Sequence, residues 1–294
     1  MSKVVCFGEV LWDIFPTHKK IGGAPLNVAN RLSSFGHNVT MISALGDDNY
    51  GQKIIEYLKD NKVNTNHIEI KKQFQTGKVN VILDKKGAAS YTINHPSAWD
   101  KISFTEKAKN EIENADAFVF GSLIARDETS RNTLYELIES AKYKIFDLNL
   151  RQPHYTTDVL QYLMKKADFI KFNDDELYEV CKKVGSKYNS LEQNINFIAE
   201  KTNTKHICVT KGHHGAVLLY NDVLYYNSGY QINVKDTVGA GDSFLASLTS
   251  ELLNKSTPQK AINFACAIGA LVAKSEGANP KILQSEIETF INPY

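Results

Sequence analysis

The sequence has little cysteine, and none of it is paired. Cys6, Cys181, Cys208 and Cys266 are the only four, scattered without a Cys-x-x-Cys spacing, and Cys6 and Cys208 sit inside apolar runs where a small hydrophobe fits. Neither a disulfide framework nor a structural zinc site is expected. An excess of charge is lacking too. Lysines and arginines number 34 against 33 acids, a net charge of +1, and no long basic run supplies the footprint that binding a phosphate backbone needs. Nucleic acid is therefore not an expected partner. Residues 1–10 carry one lysine and a short apolar run broken at Gly8 and Glu9, which makes neither a signal peptide nor a membrane span. A cytoplasmic chain with no membrane partner is expected. No Gly/Ser/Pro-rich linker or break in composition divides the sequence, so residues 1–294 read as a single domain. What is present is an ordinary globular composition, 43% hydrophobic and 23% charged, enough for a full core.

Short apolar runs suited to buried strands recur at 4–7, 39–44, 117–120, 144–148, 169–172, 206–210 and 216–220. Amphipathic helical stretches lie between most of them, at 25–35, 48–59 and 130–141 among others. In the first of these Val28, Leu32 and Phe35 share a face, Pro25 stands early and Gly36 falls just past the end. Such alternation predicts an α/β fold, a doubly wound, mostly parallel sheet flanked by helices, with ligands bound beyond the carboxyl ends of the strands. Residues 11–21 and roughly 68–95 break the alternation. They read as β hairpins, the second turning at the Asp-Lys-Lys-Gly of 84–87 between 77–83 and 88–93. Inserted strands without helices to cover them predict a small accessory sheet that serves as a lid.

Three segments carry chemistry. In Asp236-Thr-Val-Gly-Ala-Gly-Asp242-Ser-Phe244, followed by Leu245, Leu248 and Leu252, a glycine loop opens a helix. Gly239 and Gly241 let successive N–H groups converge, the helix N-terminus adds positive charge, and Asp242 brings a carboxylate to the same point. An ordinary helix start capped by Asp242 accounts for these residues equally well. The dinucleotide fingerprint would need glycine at 244, where Phe stands, and no G-x-x-x-x-G-K-S/T run exists. In Gly22-Gly23-Ala-Pro-Leu-Asn27, paired glycines precede a helix whose first turn offers an amide to a hydroxyl-rich ligand, although a loop-to-helix junction explains the glycines as well. Asp13, after the first strand, emerges at the sheet edge where sites form, or else is a solvated loop acid.

Together these segments resemble the ribokinase-like carbohydrate kinases, the PfkB family, over essentially the whole chain. The run from Gly22-Gly23 to Asn27 looks like the family's N-terminal signature and Asp236 to Phe244 like its C-terminal one, over 200 residues apart and in the expected order. The resemblance implies a ribokinase-like sheet with a small β lid and ATP-dependent phosphorylation of a sugar alcohol. It puts the general base on Asp242 and an anion hole on the backbone of the Gly239-Ala240-Gly241 loop. A proton acceptor beside a nest of N–H groups is what moving a phosphoryl group to a hydroxyl requires.

Further positions match the family residue by residue. Asn173 to Glu176 looks like the motif that organises Mg²⁺ and the phosphates, Glu176 acting through the metal's waters; a helix start capped by Asn173 is the other reading. Thr210-Lys211-Gly212 with Gly215 resembles a nucleotide loop after the penultimate strand of the main sheet, while His213 and His214 read as solvated loop residues. Asp236 and the Val238 carbonyl, helped by the Gly277 region, match a monovalent cation site, so K⁺ activation is implied. Cys266 stands near the adenine where many relatives place asparagine, which loosens base selectivity. The opening Gly-Glu-Val-Leu-Trp-Asp-Ile-Phe-Pro and the run 147–155 look most like the fructokinase branch, with Asp13, Gly22, Gly23 and Asn27 on sugar hydroxyls. Arg151 then offers a planar fork to the substrate or the transferring group, or is a surface cation, and Gln152 departs from the Arg-Pro of many relatives. Trp99 also resembles that branch, or clamps the root of the lid. Fructose phosphorylated at C6 is the expected reaction, with 2-keto-3-deoxygluconate or a nucleoside as the alternative acceptor. A sugar-binding regulator without catalysis and a dinucleotide-dependent dehydrogenase are the rivals from other classes. The expected partners are the sugar and ATP, with the lid as the pairing surface of a homodimer.

Overall fold

The computed structural model describes residues 1–83 and 89–292. The turn expected at 84–87 and residue 88 lie outside them. The strands are β1 (Lys3–Phe7), β2 (Leu11–Ile14), β3 (Lys19–Gly22), β4 (Asn38–Gly46), β5 (Asn64–Lys71), β6 (Gly77–Leu83), β7 (Ala89–Ile93), β8 (Ala117–Gly121), β9 (Lys144–Asp147), β10 (Phe169–Asn173), β11 (His206–Thr210), β12 (Ala216–Tyr220) and β13 (Val223–Asn227). The helices are α1 (Ala24–Ser34), α2 (Asn49–Asp60), α3 (Glu106–Glu113), α4 (Glu128–Ile138), α5 (Thr157–Lys166), α6 (Asp174–Lys183), α7 (Leu191–Thr202), α8 (Ala240–Leu253), α9 (Pro258–Ala273) and α10 (Gln284–Ile291).

Strands apolar on both faces must be covered on both faces, and β1 shows how. Val5 and Phe7 face a core shared with α3 to α7, while Val4 and Cys6 face a second core shared with α1, α2, α8 and α9. Both layers press on a nine-stranded sheet of order β13-β12-β11-β10-β9-β8-β1-β4-β5. The pairings from β11 across to β5 are parallel, and β12 and β13 are added antiparallel. The predicted doubly wound α/β architecture is therefore the observed one. Two details differ. The Thr210 loop does not follow the penultimate strand, because β12 and β13 come after it and form the sheet edge. Helix α4 starts earlier than the 130 expected, because the Asp127 side chain accepts from Thr129 N and caps it there.

The lid is a second sheet of order β3-β2-β6-β7. Both expected hairpins exist, β2 with β3 and β6 with β7, joined through a parallel β2–β6 pairing. The lower boundary near 68 needs correction. Residues 64–71 form β5, the half-exposed edge of the main sheet, and not the lid, and polar and apolar side chains alternate along its end from His67 to Lys71. Trp99 clamps the lid root. It is fully buried, the Arg126 guanidinium lies 4.0 Å over its ring, and Arg126 is held by Asp100 at 2.7 Å. Gly77 on β6 has no room for a side chain because the Trp99 indole fills that space. Among the described residues, no helix is long and apolar enough to cross a membrane.

Candidate active site

The carboxyl ends of β1, β9 and β10 and the N-termini of α1 and α8 meet under the lid. Gly239, at φ +75°, is the N-cap of α8, packed where a side chain would strike Ala278. Asp242 is therefore not the cap, as the simpler reading had it, but stands in the first turn. Ala240 N–H turns back to the Thr237 carbonyl at 3.2 Å. Among the described residues the N–H groups of Gly239, Gly241 and Asp242 have no intramolecular acceptor. Of the Gly239-Ala240-Gly241 loop, the tight turn at 237–240 uses only the Ala240 donor.

Asp242 Oδ2 accepts from Asn27 Nδ2 at 2.8 Å, and Asn27 Oδ1 accepts from Asn279 Nδ2 at 2.8 Å. The chain Asn279–Asn27–Asp242 fixes both the Asn27 amide and the carboxylate. Burial raises the Asp242 carboxyl to about 6, reinforced by the negative Asp147 and opposed by Asn27, Lys171 and Arg151. Directly beneath is Lys171, a buried lysine on β10 paired with Asp147 at 3.0 Å. Burial disfavours its charge, but Asp147 and Glu176 outweigh that and hold it cationic. Its ammonium lies 3.5 Å from where a Cβ on Gly241 would stand.

On the acceptor side, a Cβ at Gly22 would meet Asp13 Oδ2 at 2.6 Å, and one at Gly23 (φ +115°) would collide with the Glu9 backbone. The two glycines make room for these acids. Burial raises Asp13 to about 6 against the pull of Arg151 and Lys20, and it raises the buried Glu9 to about 7. Glu9 Oε2 has no partner. Arg151 is exposed and donates Nη1 to the Leu150 carbonyl, yet its charge reaches Glu9, Asp13 and Asp242.

On the donor side a cavity of about 310 Å³ runs from the Gly241 nest to an apolar end at Phe244 and Cys266. Asn173, Thr210, Gly212 and Gly215 line it. Burial pushes the Cys266 thiol up to about 12, so it is a packing group. Glu176 has a second role. Its Oε2 accepts from Asn173 N and its Oε1 from Leu150 N, both at 2.8 Å, which completes a capping box on α6. Burial raises this carboxyl despite Lys171 beside it. Among the described residues no group of three or more His, Cys, Asp or Glu could hold a metal by itself. The buried Asp147 Oδ2, however, has no partner among the described residues.

Asp236, Val238 and Gly277 are brought together as expected, through Val238 N to Oδ1 at 3.0 Å and Gly277 N to Oδ2 at 3.1 Å. The monovalent ion fits poorly. Lys20, from the lid, already holds its ammonium 3.2 Å from Asp236 Oδ2.

Lys171, Asp147, Asn279, Glu9 and Lys20 were not found from sequence. A lysine in the middle of the apolar run Phe169-Ile-Lys171-Phe172 is the signal that marked Lys171. Nothing local distinguishes Asn279 or Lys20, whose partners lie 252 and 216 residues away.

The pattern of the pfkB family of carbohydrate kinases matches residues 1–285. A probable chloroplastic fructokinase-6 of Arabidopsis thaliana is 28% identical over 312 residues, which cover 96% of this chain and 80% of that protein. Among solved structures, a fructokinase double mutant of Vibrio cholerae O395, with fructose, ADP and potassium ion bound, superposes with a TM-score of 0.84 at 24% identity over 99% of both chains. A putative ribokinase II of E. coli in complex with ATP and Mg²⁺ superposes with a TM-score of 0.87 at 22% identity over the whole of both.

Proposed function

Since the chain belongs to the pfkB family of carbohydrate kinases, we propose that its acceptor is a ketohexose and its reaction the conversion of fructose to fructose 6-phosphate at the expense of ATP. The observation that carries the reading is the Asp242 carboxyl, raised to about 6 and held by Asn27 beside the open N–H groups of Gly241 and Asp242. A base with that affinity is ionised at neutral pH and still takes a proton readily. Support for fructose comes from the fructokinase relatives and from the half-buried Asp13 and the buried Glu9, acids that suit sugar hydroxyls.

In the reaction Asp13 and Glu9 orient the sugar, and Asp242 accepts the proton of the attacking primary hydroxyl. An exocyclic alcohol reaches furthest from a ring held at Asp13, which favours a primary position, and the resemblance to fructokinases favours C6 over C1. The N–H groups of Gly241 and Asp242 and the Lys171 ammonium face the charge that develops on the transferred group. A Mg²⁺ ion, bound with ATP in the E. coli neighbour, would supply neutralisation of phosphate charge. Asp147, and Glu176 where its backbone bonds leave a lone pair free, are the residues that would hold it. Glu176→Gln is then expected to raise the Mg²⁺ requirement, and an unchanged Mg²⁺ titration removes Glu176 from the site.

Asn279→Leu keeps the side-chain size and removes the amide that orients Asn27. Turnover is expected to fall about tenfold, with ATP KM little changed, as one hydrogen bond to a positioning group implies. Equal turnover in parent and variant would show that Asn27 needs no second support.

A panel of sugars assayed by coupled ADP release, with phosphorus NMR of the product, tests the acceptor. Fructose should show the highest kcat/KM, giving the 6-phosphate. One observation favours a second reading. The Arg151 fork has no acidic partner among the described residues, which suits the carboxylate of a sugar acid such as 2-keto-3-deoxygluconate, and a higher efficiency on that compound would replace fructose.

A further inference from the structure

We infer that the lid carries its own cation to the anion-hole loop. Lys20 takes the place at Asp236 that a diffusible monovalent ion would fill, so this chain works without one. The inference rests on the kinase reading but starts from a mismatch within the site. Asp236 stands at the head of the turn leading to the Gly239 cap, so a bare carboxylate there would repel the phosphate that the nest attracts. Its two oxygens already receive three donors. Val238 N and Gly277 N close the two backbone turns around it, and Lys20 Nζ supplies the full positive charge. Lys235, its neighbour in sequence, makes no ion pair with it among the described residues.

Lys20 is on the lid, whereas Asp236 lies in the segment between β13 and α8. In the β2–β3 ladder it lies directly opposite Asp13, and its charge is felt by the Asp13 carboxyl. One cavity of about 360 Å³ is lined by Asp13, Lys20, Val238 and Gly277 together. The same short β2–β3 hairpin therefore presents Asp13 to the acceptor and an ammonium to the anion-hole loop. When the lid is down over a bound sugar, the charge on Asp236 is neutralised. When it lifts, both contacts are lost together. The pair is partly open to water, with side-chain exposures of 39% for Lys20 and 21% for Asp236, so its effect is modest and sensitive to salt.

The test compares the whole chain with Lys20→Met and Lys20→Arg at constant ionic strength in potassium or tetramethylammonium chloride. Two readouts are followed, turnover and the line width of thallium-205, a potassium surrogate, by NMR. The parent is expected to turn over equally in both salts and to leave the thallium line sharp. Lys20→Met should lose about 3- to 10-fold in tetramethylammonium, recover in potassium, and broaden the thallium line. Lys20→Arg should behave as the parent, which separates lost charge from lost folding. A parent that is stimulated several-fold by potassium and broadens thallium as much as Lys20→Met overturns the inference, as does a Lys20→Met variant at full rate in both salts. Failure of the kinase reading has a different mark: no sugar releases ADP, while the thallium comparison still reports on Asp236.

Discussion

Asp242→Asn is expected to lower turnover by about 10²- to 10⁴-fold while acceptor and nucleotide affinities stay within a few-fold of the parent. Asparagine keeps the shape of the side chain and can still bond Asn27, but it cannot take the proton. The fold should not suffer. Burial holds the Asp242 carboxyl up at about 6, above its ordinary range, so ionising it opposes folding. The stability this group favours is full at pH values below the unfolded carboxyl and lost as pH rises through about 6. At pH 7 to 8 the variant, relieved of that charge, should melt no lower than the parent. Activity has the opposite sign. In the parent the base works only when ionised, so kcat should fall as pH drops through about 6, and this limb should vanish from the residual rate of the variant. Near-normal turnover in Asp242→Asn would falsify the assignment of the base.

Asp13→Ala should be nearly as damaging, but on the acceptor alone. A buried polar group paired with one particular hydroxyl rejects an analogue that leaves it unpaired, so the parent should prefer fructose over the deoxy sugar missing that hydroxyl by up to about 10⁴-fold. Removing Asp13 should collapse both the efficiency on fructose and this preference, because the discrimination resides in the carboxylate. KM for ATP should move little. If acceptor and ATP kinetics decline in parallel, Asp13 supports the lid and the sugar site lies elsewhere. Gly22→Ala gives a milder version of the same result, since the added methyl meets the Asp13 carboxylate and not the nucleotide.

The main sheet was legible because its strands are continuous apolar runs and its helices carry local punctuation. Pro25 and Gly36 bracket α1, and the glycine loop marks the start of α8. The lid was legible as an absence of helices, but its lower boundary was misplaced because the edge strand β5 alternates in polarity much as a lid strand does. Inside the site the glycine motifs marked Asp242 and the open N–H groups beside it. They did not reveal that Asn27 already has the base as its partner, nor that both oxygens of Glu176 accept from the backbone. Those roles depend on which side chains meet after folding. The pairing of Lys171 with Asp147 and of Lys20 with Asp236 is written in the topology and not in any local spacing.

The hydrogen bond from Asn27 to Asp242 spans 215 residues, and the one from Asn279 to Asn27 spans 252. Contacts this distant form late, since the intervening chain must first be ordered. During synthesis the acceptor-facing residues leave the ribosome long before the base, and the amide that steadies Asn27 comes later still. A nascent chain that has folded its first half has Asn27 in place but neither the Asp242 carboxylate nor the Asn279 amide that it joins. Fragments cut anywhere before residue 240 should therefore be inert as phosphotransferases, however well their strands pair. Chemical competence in this molecule is an all-or-none property of the finished chain.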